Sequence, residues 1–468
     1  MHATGTGHGG QPAPVAACAG ACPAGTALLG LDGVRVVAVT PDDGDWTVVD
    51  VVTDPAAGAD VCPGCGVTAL RGKEQVVTAP KDAYLGDAQI RLRWHKTRWF
   101  CDNEDCRRRS FTEAAAAVPP RCRMTTRMRH RLGACVGDEM MPVSATAERY
   151  RVCERTVARA FTSYAGTELA TLAGHAPPAL AAGAGEFRRG KPAHGTDPGT
   201  GEQLKTRSEW FTHLVDLDHG GTIDLAEGRT AAVETGLIER NPGRLHQLRY
   251  LAMDCPDTYR SGAPEGVIVV ADPFHLVKIA NRKIDEAFRR LAYRTRTGHA
   301  GLGLPRPLHH MLRYNVEDVS QEHLRKIIEV LDATDAGRQI LCCWIVKEEL
   351  RRLLALRITK THASPAPSAV RDRLATFYLA CADAAVVPEV ASLARTIEKW
   401  QEPVINAVLT GYSNAKAEAH NRTAKLVART ARGFASPEHQ KQRVHMATTR
   451  KLRLAIRCCR SQTVARPP

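Results

Sequence analysis

Apolar positions change their period several times along the chain, and each change predicts a different element. GVRVVAV (33–39) and DWTVVDVVT (45–53) flank the turn PDDGD and predict two paired strands. QIRLRWHKTRWF (89–100) alternates as a further strand. From Arg121 the period is helical, and VSATAERYRVCERTVARAF (143–161) reads as two short helices about a turn at Tyr150–Cys153. From about Ala179 strands and helices alternate. WFTHLVDLD (210–218) and GTIDLAEGR (221–229) predict paired strands, and Thr230–Arg240 predicts a helix. LRYLAMD (248–254) and GVIVVADPFHL (266–276) predict two more strands. His275 to about Thr410 is helical, broken by THASPAPSA (361–369), and a last helix starts near Ser413 with AKAEAHNRTAKLVARTARGF.

Composition narrows the class. The chain has 468 residues, 44% hydrophobic and 24% charged, which is too apolar for a disordered chain and long enough for several domains. Residues 1–27 are rich in Gly, Ala and Pro and predict a disordered tail. No run of about 18 apolar residues predicts a membrane span, and no basic start followed by an apolar stretch predicts export. The net charge of +14 is unevenly placed. Arg107–Arg131 holds eight arginines and one acid, and Asn414–Arg460 holds twelve Lys or Arg and two acids. Such clusters attract nucleic acid; a solvated helical surface is the alternative.

Fifteen cysteines without an export signal point to a reducing compartment and to metal. Cys62 and Cys65 (CPGC) and Cys101 and Cys106 (CDNEDC) are two close pairs separated by 35 residues. That spacing predicts a zinc ribbon, in which four thiolates close a structural zinc site around a hairpin. The alternative is four reduced, buried cysteines. Cys18 and Cys22 fall in the low-complexity tail; Cys342–Cys343 and Cys458–Cys459 read as core or surface thiols. The helical pair at 143–161 has a helix-turn-helix layout whose second helix would carry Arg155, Thr156 and Arg159 into a major groove; an ordinary helical hairpin has the same pattern. Asp254 falls at a strand's carboxyl end, where metal and ligand sites collect. Glu418 lies in a helical stripe with Arg422, Lys425, Arg429 and Arg432, either beside a metal and a phosphate backbone or as a surface ion pair with Arg422. Asp272 and His275 mark another strand end, as ligands or as a strand cap.

The order of motifs resembles the bacterial insertion-sequence transposases of the ISL-three family. GLDGVRVVAV, CPGCG, RWHKTRWFCDNEDCRRRSFTE, VDLD with EGRT, LAMDCPDTYR, VVADPFHLVKIANRKIDEAFRR and SNAKAEAHNRTAKLVARTARGF carry the resemblance over about residues 28–440. It implies a multidomain chain: a strand pair and zinc ribbon (28–115), then a helix-turn-helix (116–175). An α/β ribonuclease-H-like catalytic domain (176–275 and 411–440) with a helical insertion (276–410) follows, and a basic tail (441–468) ends the chain. It also implies an Asp–Asp–Glu (DDE) triad holding two magnesium or manganese ions, with Asp254 as the second acid and Glu418 as the third.

The first acid should precede the turn FRRGKP, and Gly185 stands there. Glu186 points to the opposite face of its strand, and Asp197 lies in an apparent turn. The strand itself, PALAAGAG, has no β-branched residue and is a poor β-former. The implied function is a transposase that binds terminal inverted repeats and catalyses metal-dependent strand cleavage and transfer. The alternative is an impaired relic that only binds DNA. Arg155, Thr156, Arg159, Arg422, Lys425 and Arg429 are the expected DNA contacts. The expected partners are double-stranded DNA (repeats and target) and further copies of the chain, in a homodimer or larger synaptic assembly. The expected setting is the nucleoid of a bacterial cytoplasm.

Overall fold

The structure, a computed structural model, describes residues 22–42, 46–86, 88–190, 193–196, 199–200, 203–207, 209–254, 262–294, 306–359, 363–434 and 436–464. Two compact units divide the chain, the first ending at Thr167 and the second beginning at Glu168.

In the first unit, α1 (Pro23–Leu29) occupies the end of the stretch read as a tail. Cys22 caps it: its Sγ accepts the Gly25 N–H at 3.3 Å, and its own N–H pairs with Val36. The predicted strand pair is β1 (Val34–Pro41) and β2 (Trp46–Thr53), antiparallel. β3 (Gly72–Thr78) and β4 (Gln89–Phe100) form the second antiparallel pair, and β5 (Ser110–Thr112) adds to the end of β4. β2 runs parallel to β4 and joins the pairs into one sheet ordered β1–β2–β4–β3. Val36, Val51, Leu92 and Trp94 bury its inner face. On the other face Arg93 clamps Asp50 with two hydrogen bonds, at 2.5 and 2.6 Å. Three helices follow: α2 (Thr126–Gly137), α3 (Val143–Arg149) and α4 (Glu154–His175), the last crossing into the second unit. α2 and α4 touch closely at Gly133, where a Cβ would lie 2.3 Å from Cβ of Tyr164.

The second unit is built on a five-stranded sheet. Its strands are β6 (Ala181–Arg188), β9 (Trp210–Asp216), β10 (Thr222–Glu227), β11 (Tyr250–Met253) and β12 (Ile268–Ala271), in the order β10–β9–β6–β11–β12. The first three are antiparallel; β11 is parallel to β6 and to β12. Between β6 and β9 a two-stranded ribbon forms from β7 (Ala193–Thr196) and β8 (Gln203–Arg207). α5 (Ala231–Glu239), capped by Thr230, and α6 (Pro242–Leu245) connect β10 to β11. Asp216 is fully buried and takes Arg244 at 2.7 Å and the N–H groups of Asp218 and His219 at 2.8 Å. Removing one partner of so buried a pair costs about 3–5 kcal/mol.

A helical block follows the sheet: α7 (Pro273–Arg294), α8 (Arg306–Met311), α9 (Gln321–Asp332), α10 (Asp335–Ala355), α11 (Pro367–Asp383), α12 (Pro388–Lys399) and α13 (Gln401–Thr410). The chain then returns to the sheet as α14 (Ala415–Thr430), which packs on β6 and β9. The basic segment after it is helical as well. α15 (Pro437–Val464) buries Val444, Met446 and Arg453, and Arg453 pairs with Glu168 at 3.1 Å.

β6, poor in strand-forming residues, is the central strand, and its position explains its composition. Ala182 and Ala184 face the main core, while a Cβ on Gly183 or Gly185 would meet α14. Both faces are covered so tightly that small side chains replace the branched ones a freer strand would carry.

Candidate functional site

The four cysteines of the predicted ribbon converge. Cys62 and Cys65 lie on the turn before β3, and Cys101 and Cys106 follow β4, so the β3–β4 pair brings the two turns together. All four Sγ atoms lie within 4.8 Å of one another, and Cys65 and Cys101 are 3.5 Å apart. A tetrahedral zinc with Zn–S near 2.3 Å needs sulfurs about 3.8 Å apart, so the set fits that ion. Backbone N–H groups of Gly64 and Arg108 point at Cys62 and Cys106 at 3.5 and 3.4 Å, as a thiolate acceptor requires. Phe111, Ala69 and Trp99 close the apolar side.

Downstream, Arg155 and Arg159 are exposed on the first two turns of α4, and Thr156 bonds Cys153 at 3.1 Å. Thr156 and Arg159 line a cleft of about 680 Å³ with Lys81, Arg123 and Arg129. Among the described residues, four cations and no carboxylate line it. Lys81, Arg123 and Arg129 were not singled out from sequence, because only the fold brings them to α4.

In the second unit, three strand and helix ends meet at a cluster of Asp254, Asp272 and His275. Asp254 follows β11, Asp272 follows β12, and His275 is in the first turn of α7. His275 Nδ1 lies 2.9 Å from Asp254 Oδ1 and 2.8 Å from Asp272 Oδ2. Burial lowers the proton affinity of this imidazole, but the two carboxylates outweigh it and raise its pKa to about 9. Asp272 caps the helix α7 rather than the strand, accepting the His275 N–H at 3.2 Å. Asn414, at the start of α14, ties the cluster to that helix. Its N–H donates to Asp272 at 2.9 Å, and its amide donates to Asp254 at 3.1 Å and to the Ala184 carbonyl at 2.6 Å.

Glu418 is one helical turn beyond Asn414, its N–H bonded to the Asn414 carbonyl at 3.0 Å. It makes no ion pair with Arg422 among the described residues; its carboxylate accepts from Asn421 at 3.3 Å. Arg422, Lys425 and Arg429 form an exposed stripe opposite the buried Ala417, Asn421, Ala424 and Val427. Gly185 lies beside Asp254: Ala184, Gly185, Glu186, Thr212, Met253 and Asp254 line one cavity of about 10 Å³. That is room for about one water. Glu186 points away, pairing with Arg229 at 2.5 Å and standing near the fully buried Glu234. Burial, and secondarily Glu186, raise the Glu234 carboxyl to about 8. Asp197 lies outside the described residues.

With this geometry in place, comparison with known proteins is decisive for descent. The sequence profile of the ISL-three family, described as transposase, matches residues 202–444, slightly more than half the chain. The chain belongs to the ISL-three transposase family. The match to this transposase family spans Asp254, Asp272, His275, Asn414 and Glu418, and starts after β6. Among solved structures the chain is similar to the Drosophila P element transposase strand transfer complex, at 7% identity and a TM-score of 0.37. That likeness covers 69% of this chain and 91% of the other, and is too loose to define the fold. Among curated proteins none matches. Among the described residues no helix is long and apolar enough to cross a membrane.

Two outcomes are expected of this transposase-family chain. Cys101→Ser, or removal of zinc by a chelator, should lower the melting temperature of the first unit by more than about 10 °C, since structural zinc contributes directly to folding. Unchanged melting would remove the zinc assignment. Glu234, protonated in the fold at a pH where the unfolded chain has ionised, should cost stability as pH rises from about 4.5 through about 8. Chemical unfolding at pH 5 and pH 8 should show this loss in the wild type and a flatter profile in Glu234→Gln.

Proposed function

We propose that the chain acts on DNA as a transposase of the Asp–Asp–Glu type, recognising the terminal inverted repeats of an insertion sequence. The reading of a ribonuclease-H-like domain is supported by the sheet. It has three antiparallel strands followed by two parallel ones, a carboxylate at the end of β11, and a late helix that brings Glu418 back after a helical block. The helix-turn-helix reading is supported by α3, the turn Tyr150–Cys153, and exposed Arg155 and Arg159 at the start of α4. Arg422, Lys425 and Arg429 offer a second cationic stripe for phosphates beside Glu418. Zinc would be structural, held by Cys62, Cys65, Cys101 and Cys106. Bringing two element ends together calls for two or more copies of the chain, and the setting for that work is the bacterial nucleoid.

Strand cleavage and transfer is the chemistry the family implies, and it uses two magnesium or manganese ions held by three converging carboxylates. The residues present do not fit that centre. Asp254 and Glu418 are the acids this reading assigns, Gly185 offers no ligand, and Glu186 is engaged with Arg229 on the other face. That single observation favours a second reading, in which the chain occupies the inverted repeats without cutting them.

The test is binding and cleavage on DNA from the flanks of the chain's own gene. Specific binding should persist without added magnesium or manganese and weaken steeply with salt. Arg155→Ala or Arg159→Ala should cost roughly tenfold or more on the specific site and less on random DNA. Equal losses on both would make these arginines phosphate contacts only. Cleavage by the wild type in magnesium or manganese would establish the catalytic reading and overturn the occupancy reading.

A further inference from the structure

Gly185 and His213 are direct partners across the antiparallel β6–β9 pair, so their side-chain positions share one face. That face lies under α14. A Cβ at Gly185 would sit 2.4 Å from His213 Nε2, 3.0 Å from its Cδ2 and 3.1 Å from Ala417 Cβ. The imidazole therefore already fills the volume into which any side chain at 185 would grow. His213 is completely buried. Its Nε2–H donates to Asn421 Oδ1 at 2.9 Å, and the Asn421 amide in turn donates to Glu418 at 3.3 Å. Burial, with His420 nearby, pushes the His213 pKa down to about 3, so the ring is neutral and no counter-ion for the carboxylates.

We infer that Gly185 and His213 are a compensated pair. The loss of a side chain at 185 is matched by an imidazole that fills its place and joins β9 to α14 through Asn421. The centre is then a closed structural joint rather than a metal site lacking one ligand, and a carboxylate at 185 cannot be accommodated unless 213 changes too. This rests on the reading of Asp254 and Glu418 as the surviving ligands.

The full-length chain tests this in six forms: wild type, Gly185→Asp, Gly185→Ala, His213→Ala, and each change at 185 combined with His213→Ala. Melting temperature and manganese binding by calorimetry are measured on all six. Gly185→Asp and Gly185→Ala should each melt about 3–8 °C below wild type, because a Cβ overpacks the joint. Combined with His213→Ala, each should cause little further loss beyond that of His213→Ala. Gly185→Asp/His213→Ala should also bind manganese at least about tenfold more tightly than wild type. If Gly185→Ala melts like wild type, or the losses at 185 and 213 simply add, the pair is not compensated and the inference fails. If the melting temperatures couple but no form binds manganese, the joint stands and the assignment of Asp254 and Glu418 as ligands is what falls.

Discussion

The close approach of α14 to the middle of β6 sets most of what the second unit can be. A helix that carries Asn414, Ala417 and Asn421 on its buried side rests against a strand whose facing positions are Gly183 and Gly185. A Cβ at Gly183 would stand 2.5 Å from Asn414 Oδ1. That nearness lets one asparagine reach the Ala184 carbonyl, Asp254 and Asp272 together, gathering three chain segments at one point. Larger side chains on β6 would lift the helix and pull Asn414 away from Asp254 and Asp272. The strand's weak β-propensity is the cost of that proximity, and sheet neighbours on both sides offset it.

The same packing separates two kinds of carboxylate. Asp254 and Asp272 share a histidine whose proton they stabilise, at an edge that is partly open. Glu234 and Glu186 sit behind the sheet, one ionised against an arginine and the other kept largely protonated by burial. Adjacent residues on one strand, Gly185 and Glu186, thus belong to different environments, and proximity in sequence gives Glu186 no part in the front cluster.

Much of this was legible in the sequence where the signal is local. Strand alternation located β1, β2, β4, β9 and β10, and the cysteine spacing located the four-sulfur cluster. What escaped was set by distant contacts. α15 reads as a basic tail because its sequence is rich in Lys and Arg, yet Arg453 is buried against Glu168. His213 is one polar residue in a largely apolar strand, and only its cross-strand partner gives it meaning. Asn414 was visible within a motif, but its role depends on segments separated from it by up to 230 residues. Lys81, Arg123 and Arg129 likewise share a cleft with α4 only through contacts between distant segments.

That separation has a consequence for synthesis. β6 is complete by Arg188, but the helix that covers it begins at Ala415. At about 5–20 residues per second, a ribosome needs on the order of ten to fifty seconds to supply the 230 residues between Ala184 and Asn414. For that interval a glycine-rich strand face waits without its cover while the intervening helices emerge. The helical block thus sets how long the strand face waits for its cover during synthesis.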